Sequence, residues 1–508
     1  MTRNSSKWRG RIWIVALAAL AVIAGGGAVA VGYYYKDGDQ VRPENFANAR
    51  VTLIMASDGT TQLAQLGAEW GLRTKEGDPA GKATGNVVNY VYQELKDLGV
   101  SPSELKSGGY KVTTTIDPQA QELLERAARP DLVGSQLYGR QLVKSPDGRI
   151  QQDLESAGVV IDHTTGRVLA YYGGLDATAV DLAGLNQDGS GMFGGHPPGA
   201  SMEIYTLAAV LDAGASLKSR WKALPFTTDD GIAVGNNGAP NVSCRDSCPL
   251  EYSFMKGYQV PFYWAARMIG PGLVVQTAQR AGVRHLWDNN GRAHELKADL
   301  QEPQSRSPFD RHIGYGQYPI TALDHATGVG TIANGGVYNK PHFVVKLERL
   351  DLLTGLYRPV AGVREKLAPQ QVIRKAVAND VTYAMRQAAI DRKWPVAQGG
   401  RDIATAAGVW PGTILKAGRP TPSSSNCDAW VVGFTGQFSV AIWTGNAASS
   451  HPVTDPVTTK TITAGTTPYR IWSSFVSSYS GAKKYPMKAL PDPSHIGDDR
   501  FRGANGVP

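Results

Sequence analysis

From Ile12 to Tyr35 the chain carries no charged side chain, and Arg3, Lys7, Arg9 and Arg11 stand just before that stretch. At ~1.5 Å of helical rise per residue, about 20 apolar residues cross the hydrocarbon core of a bilayer. The stretch closes on Tyr33, Tyr34 and Tyr35, rings that suit the membrane–water boundary. The basic residues on the N-terminal side hold that end in the cytoplasm, so the chain after Lys36 is expected outside the cell membrane. A cleaved export signal is the rival reading, because Ala28-Val29-Ala30 has the small residues of a cleavage site. Both readings export the rest of the chain.

The 508 residues give room for two or three domains, and 42% hydrophobic with 19% charged residues is the balance of a globular protein. A net charge of +8 would suit nucleic acid, anionic lipid or an anionic cell wall. Long Lys/Arg runs and nucleic-acid-binding modules are both missing, so no nucleic-acid partner is expected and the excess reads as a diffusely basic surface.

Export changes the reading of the three cysteines. Cys244 and Cys248 can close a small disulfide loop outside the cytoplasm, and Cys427 is either buried or paired with one of them. A structural zinc site needs four ligands and no second Cys/His pair lies nearby, so neither metal nor cofactor is expected.

Val51–Met55 reads as a strand, Ser57-Asp58-Gly59-Thr60 as a turn, and Asn86–Leu98 has helical spacing. Lys111–Ile116 is β-rich, and Asp117-Pro118 opens a helix over Ala120–Ala128. Gly158–Asp162 and Arg167–Tyr172 form a hairpin around His163-Thr164-Thr165-Gly166. Ser201–Ala213 and Val260–Ile269 are helix-like, and Ala429–Phe434 and Phe438–Thr444 strand-like. The mixture is α/β, or α+β with segregated strands.

Six segments, in order, carry a resemblance: Gly109–Pro118, Val159–Gly174, Pro198–Leu207, Val260–Tyr263, Thr331–Val337 and Asp428–Phe434. Together they resemble the transpeptidase domain of class A penicillin-binding proteins, over roughly residues 109 to 475. The resemblance implies a penicillin-binding/β-lactamase-like fold, with a central antiparallel sheet flanked by helices. The expected layout is a cytoplasmic stub at 1–11, a transmembrane anchor at 12–35, a juxtamembrane region at 36–108, the transpeptidase-like domain at 109–480 and a flexible tail at 481–508. The Ser57–Thr60 and Asn89–Leu95 regions resemble the flanks of the glycosyltransferase of two-domain family members. Only 28 residues separate them, too few for a catalytic domain, so the juxtamembrane region reads as a remnant around a missing glycosyltransferase.

Acyl-serine transfer in this family uses a Ser and a Lys three residues apart on one helix, a Ser-x-Asn motif, and a Lys-Thr-Gly strand. Pro198-Gly199 aligns the first, and places Ala200 at the nucleophile and Glu203 at the lysine. Alanine has no atom that attacks a carbonyl, and glutamate would repel a substrate carboxylate. Val260-Pro261 aligns the second, and places Gly257 and Gln259. Ala417-Gly418 and Asp428-Ala429-Trp430 align the third, at Arg419, Pro420 and Thr421, with Pro411-Gly412 as an alternative. Every motif is degenerate, and no catalytic residue is expected. Ser201, Glu203, Gln259, Arg419 and Thr421 remain as candidate ligand-cleft residues. Glu203 is open to three roles: a solvated cleft residue, a general base, or a partner of Arg419.

The first functional reading is an anchored pseudoenzyme of cell-wall assembly, binding a peptidoglycan fragment or lipid-linked precursor, or scaffolding synthases or division proteins. The second is an active penicillin-binding D,D-transpeptidase or carboxypeptidase with a relocated nucleophile. Its candidates are Ser201 and the Ser-x-x-Lys pairs that begin at Ser103, Ser219, Ser253 and Ser480. Ser201 stands ~100° around the helix from Ala200 and should point away from the cleft. A third reading is a sensor of wall fragments, but a stub of about eleven residues is short for a signalling domain.

Overall fold

The computed structural model describes residues 51–67, 84–139, 143–144, 148, 150–185, 194–229, 231–236, 244, 247–296, 307–397, 399–416, 419–455 and 457–501. The expected anchor at 12–35 lies outside them. Among the described residues no helix is long and apolar enough to cross a membrane.

Strand β1 (Val51–Met55) pairs antiparallel with β2 (Gln62–Gly67). The Asp58 carboxylate holds their turn by accepting from the N–H groups of Thr60 and Thr61 at 2.9 and 2.8 Å. Helix α1 (Gly85–Asp97) buries Val87, Val88, Val91 and Leu95, the helical spacing read from sequence. The capping box of Ser101 and Glu104 starts α2 (Pro102–Ser107). Strand β3 (Tyr110–Thr114) then pairs parallel with β1. Asp117 caps α3 (Pro118–Ala128) by accepting from Gln119 N–H at 2.9 Å. Strands β4 (Leu154–Asp162) and β5 (Arg167–Tyr172) form the expected hairpin.

A 3₁₀ turn at Gly199–Met202 leads into α4 (Glu203–Asp212). Next come α5 (Leu250–Lys256), α6 (Gln259–Ile269) and α7 (Ala322–Ala333), then the hairpin strands β6 (Val344–Leu350) and β7 (Tyr357–Arg364). Helix α8 (Lys375–Asp391) precedes β8 (Ala404–Lys416), β9 (Arg419–Phe434) and β10 (Ser439–Asn446), and α9 (Thr467–Ala482) follows.

The central sheet has the order β8-β9-β10-β4-β5, and every neighbouring pair is antiparallel. It is covered on both faces, which is why its strands are apolar along their length rather than alternating. Val159, Ile161, Trp430 and Val432 pack with Ile204, Tyr205, Ala326 and Val329 of α4 and α7. Their neighbours Val160 and Val431 turn to the other face, against Leu124 of α3 and Phe475 and Val476 of α9.

The second sheet, β7-β6-β3-β1-β2, corrects the expected layout. Residues 51–67 share it with strands of the main domain, so there is no structural break at 108/109. Long-range backbone pairing, which local sequence does not display, joins the two. The expected flexible tail is also corrected as far as residue 501. The buried Asp380 carboxylate accepts from Ser494, His495 and Ile496 N–H at 2.6, 2.9 and 2.9 Å, and Leu490 is buried. A Pro- and Gly-rich composition hid an ordered segment held by hydrogen bonds.

Candidate functional site

The Gly199–Met202 turn lies flush against one strand, and two glycines make that approach possible. A Cβ on Gly199 would collide with the Val409 carbonyl oxygen, and one on Gly408 with the Pro198 carbonyl oxygen. The strand lining the turn is therefore β8, at Gly408-Val409-Trp410.

This corrects the placement of the third motif at Arg419-Pro420-Thr421. Those residues begin β9, opposite Lys416, Leu415 and Ile414, and Arg419 is exposed. Only Asp428–Phe434 of β9 pairs with β10, so its earlier residues overhang the sheet in a two-stranded ribbon with the end of β8. The physical reason is hairpin length: the residues just before Asp428 run out along the ribbon, away from the turn. Arg419 and Thr421 make no contact with Glu203; Thr421 Oγ1 donates to the Arg419 carbonyl at 3.2 Å.

Gly408-Val409-Trp410 offers neither an ammonium group nor a hydroxyl. Trp410 instead packs on Val234, Val260, Tyr263 and Tyr315, and its ring is near-parallel to that of Tyr315 at 6.4 Å between centroids. Gln259 opens α6 immediately before Val260, and Gly257 ends α5 in the left-handed conformation at φ 65°. Apolar packing thus joins β8 to the second-motif segment.

Ala200 is buried at the turn. Ser201 faces the interior, and its hydrogen-bond partners account for every proton. Tyr205 Oη lies 2.9 Å from His325 Nδ1, His325 Nε2 lies 2.9 Å from Ser201 Oγ, and Ser201 Oγ donates to the Pro198 carbonyl at 2.9 Å. Burial lowers the His325 pKa to about 3, so the imidazole is neutral. One tautomer satisfies the chain: Tyr205 donates to Nδ1, and Nε2–H donates to Ser201. Ser201, expected in a ligand cleft, is fully buried, and its hydroxyl proton is committed to Pro198.

Glu203 is not a solvated cleft residue. It is 1% exposed, and neither carboxylate oxygen has a hydrogen-bond partner. Burial raises its pKa well above the ordinary carboxyl value, and the Arg392 guanidinium beyond α8 offsets this only in part. Arg392 itself donates to the Ala388 carbonyl at 3.0 Å and lies over the Trp394 ring. Burial thus disfavours the charged form of Glu203, the residue that Pro198-Gly199 aligns with the expected lysine.

The other serine candidates are absorbed structurally. Ser219 and Ser253 are buried and donate to the Ser216 and Pro249 carbonyls at 2.7 and 2.9 Å. Lys256 pairs with Asp391 at 2.6 Å and Lys483 with Asp117 at 2.5 Å. Ser103, at the start of α2, is exposed beside Ser101, and Ser480 is buried in α9.

Sequence reasoning missed a buried polar cluster beside the turn. Asp428 accepts from Trp443 Nε1 at 2.9 Å and from Cys427 Sγ at 2.8 Å, and burial raises its pKa to about 6. His196 stacks on Trp443 at 3.6 Å and is held neutral by burial, while Trp430 Nε1 donates to the Pro197 carbonyl at 3.0 Å. These contacts staple the approach to Ala200 onto the sheet. Cys427 is free and buried, and Cys244 and Cys248 form a disulfide. Among the described residues no group of His, Cys, Asp and Glu is arranged to hold a metal.

A two-layered helical cover over a five-stranded antiparallel sheet, with a turn and helix docked on its edge strand, is the fold of acyl-serine transpeptidases, and residues 156–446 match the penicillin-binding protein transpeptidase domain. The chain belongs to the penicillin-binding proteins that carry this domain. It is 29% identical over 427 residues to penicillin-binding protein 1A of Mycolicibacterium smegmatis, covering 84% of this chain and 47% of that protein. With penicillin-binding protein 1A of Mycobacterium tuberculosis the identity is 30%, covering 84% of this chain and 46% of that protein. The chain thus spans about half the length of the curated relatives it matches. The solved structure of penicillin-binding protein PonA1 from Mycobacterium tuberculosis superposes with a TM-score of 0.64 at 26% identity, covering 82% of this chain and 96% of that one.

Proposed function

We propose that this chain is a pseudoenzyme of peptidoglycan assembly, anchored in the cell membrane by its N-terminal segment with its bulk outside. It keeps the transpeptidase fold and acts as a binding or scaffolding component without acyl-serine transfer. One observation carries the reading: the turn that docks on β8 holds Ala200, with behind it a buried Glu203 whose charged form is disfavoured, and Gly408-Val409-Trp410 alongside. Nucleophile, base and substrate-binding strand are all altered together. A peptidoglycan fragment, a lipid-linked precursor or a cell-wall synthase is the partner class in keeping with the family.

The relocated-nucleophile reading has one observation in its favour, the 2.9 Å approach of Ser201 Oγ to His325 Nε2. Against it stand full burial and the donation of the serine proton to Pro198.

The test is labelling of the whole protein with a fluorescent β-lactam, followed by mass spectrometry of the adduct. No covalent adduct is expected, and an Ala200→Ser change alone is expected not to restore one, because Glu203 is a poor base for it. An adduct on any serine of the unaltered chain sinks the pseudoenzyme reading.

A further inference from the structure

The hairpin of β6 and β7 ends in Asp351-Leu352-Leu353-Thr354-Gly355-Leu356. Tight turns are normally built from Gly, Pro, Asn, Asp and Ser. Here Leu353 is 67% and Leu356 59% exposed, so burial in this chain does not explain them. The tip is held rather than frayed. The Asp351 carboxylate accepts from Leu353 and Thr354 N–H at 3.0 and 3.2 Å, and Asp351 N–H donates to the Leu356 carbonyl at 2.9 Å. Two leucines are thereby presented to the outside in a fixed geometry.

What surrounds the tip indicates what meets it. Behind the leucines stand Arg349, against the Tyr110 ring, Arg358, 3.6 Å from Asp351, and Lys111, against the Tyr357 ring. Apolar residues leading and a collar of Arg349, Arg358 and Lys111 behind is the order of groups at an anionic bilayer surface, where leucines enter the acyl boundary and the basic collar stays among headgroups. The tip also points the right way. Leu350 N–H donates to the Gly109 carbonyl at 2.7 Å, and Gly109 N–H donates to the Val51 carbonyl at 2.9 Å. The hairpin tip therefore leaves the sheet at the end where residues 1–50 join it. Only Lys36–Arg50, fifteen residues, separate Val51 from the expected anchor, a reach of at most about 50 Å when extended.

We propose that the Leu352–Leu356 tip is a second membrane contact, seated on the outer surface of the bilayer that holds the N-terminal segment. This rests on the anchored reading given above. The contact fixes the height and tilt of the transpeptidase-like body over the membrane, which a single anchoring point does not.

The test uses the full chain reconstituted in phosphatidylcholine–phosphatidylglycerol vesicles. A Leu353→Cys variant is labelled with an environment-sensitive fluorophore; Cys427 is buried and the other cysteines are paired, so the label is single. Val133→Cys, at a site 75% exposed in the loop after α3, is the control. The expected result is a blue shift and quenching by nitroxide lipids at 353 and neither at 133, both lost when Leu352 and Leu356 are changed to Ser. A chain that floats with the vesicles but keeps the 353 probe in water overturns the membrane contact alone. Failure to float overturns the anchor and the contact with it. A 353 probe that leaves water only when a second protein is added also overturns it, in favour of a protein partner.

Discussion

At Glu203 a single side chain carries both a chemical and an energetic consequence. A carboxyl whose folded pKa is raised binds its proton in the native state at pH values where the unfolded chain has released it, so stability falls as pH rises past the unfolded value of 4.5. The slope reaches about 1.4 kcal/mol per pH unit. Asp181 and Asp428, each raised to about 6 by burial, add the same sign between their unfolded value of 3.8 and pH 6. Glu203→Gln keeps the shape and removes the titration. Thermal unfolding should show the variant gaining stability over the parent at pH 8 and differing little at pH 4. An equal difference at both values would mean that folding does not raise the pKa of this acid. The same residue was open to three roles in sequence, because burial depends on what packs over it rather than on its neighbours in the chain.

Strand β8 and the Gly199–Met202 turn form one unit, and the contact between them is made by backbone. Because a Cβ at Gly408 meets the Pro198 carbonyl, Gly408→Ala forces the turn off the strand. The expected cost is about 1–3 kcal/mol, as for other overpacked sites. Chemical denaturation measures it, and a cost below about 0.5 kcal/mol would show that the turn can move freely. Strand β8 went unrecognised in sequence. Its Ala404–Lys416 run mixes Ala, Gly and Pro with few of the β-branched residues that announce a strand, and it is held in place by pairing with β9. The hairpin of β4 and β5, by contrast, is legible because strand pattern and turn residues agree there.

For the molecule as a whole, closure depends on segments far apart in sequence. Asp380, buried on α8, holds the backbone of Ser494–Ile496 through three hydrogen bonds. Asp380→Ala leaves those N–H groups without their acceptor, and limited proteolysis should then cut after residue 483 well before the body is degraded, while the parent resists. Equal resistance of the two proteins would show that Leu490 and its neighbours hold the segment unaided.

By itself the sequence determined the family, several of the elements, and that alanine follows Pro198-Gly199. These are local matters: six ordered motifs, capping residues, and an alanine that has no hydroxyl wherever it lies. The tertiary structure alone decided which strand lines the turn, that Glu203 is buried without a hydrogen-bond partner, and that Ser201 donates its proton to Pro198. It also joined residues 51–67 to the main body and packed the tail down to residue 501. The reason is the same throughout. Solvation, strand register and hydrogen-bond partners are set by residues tens to hundreds of positions away, and no local pattern encodes them.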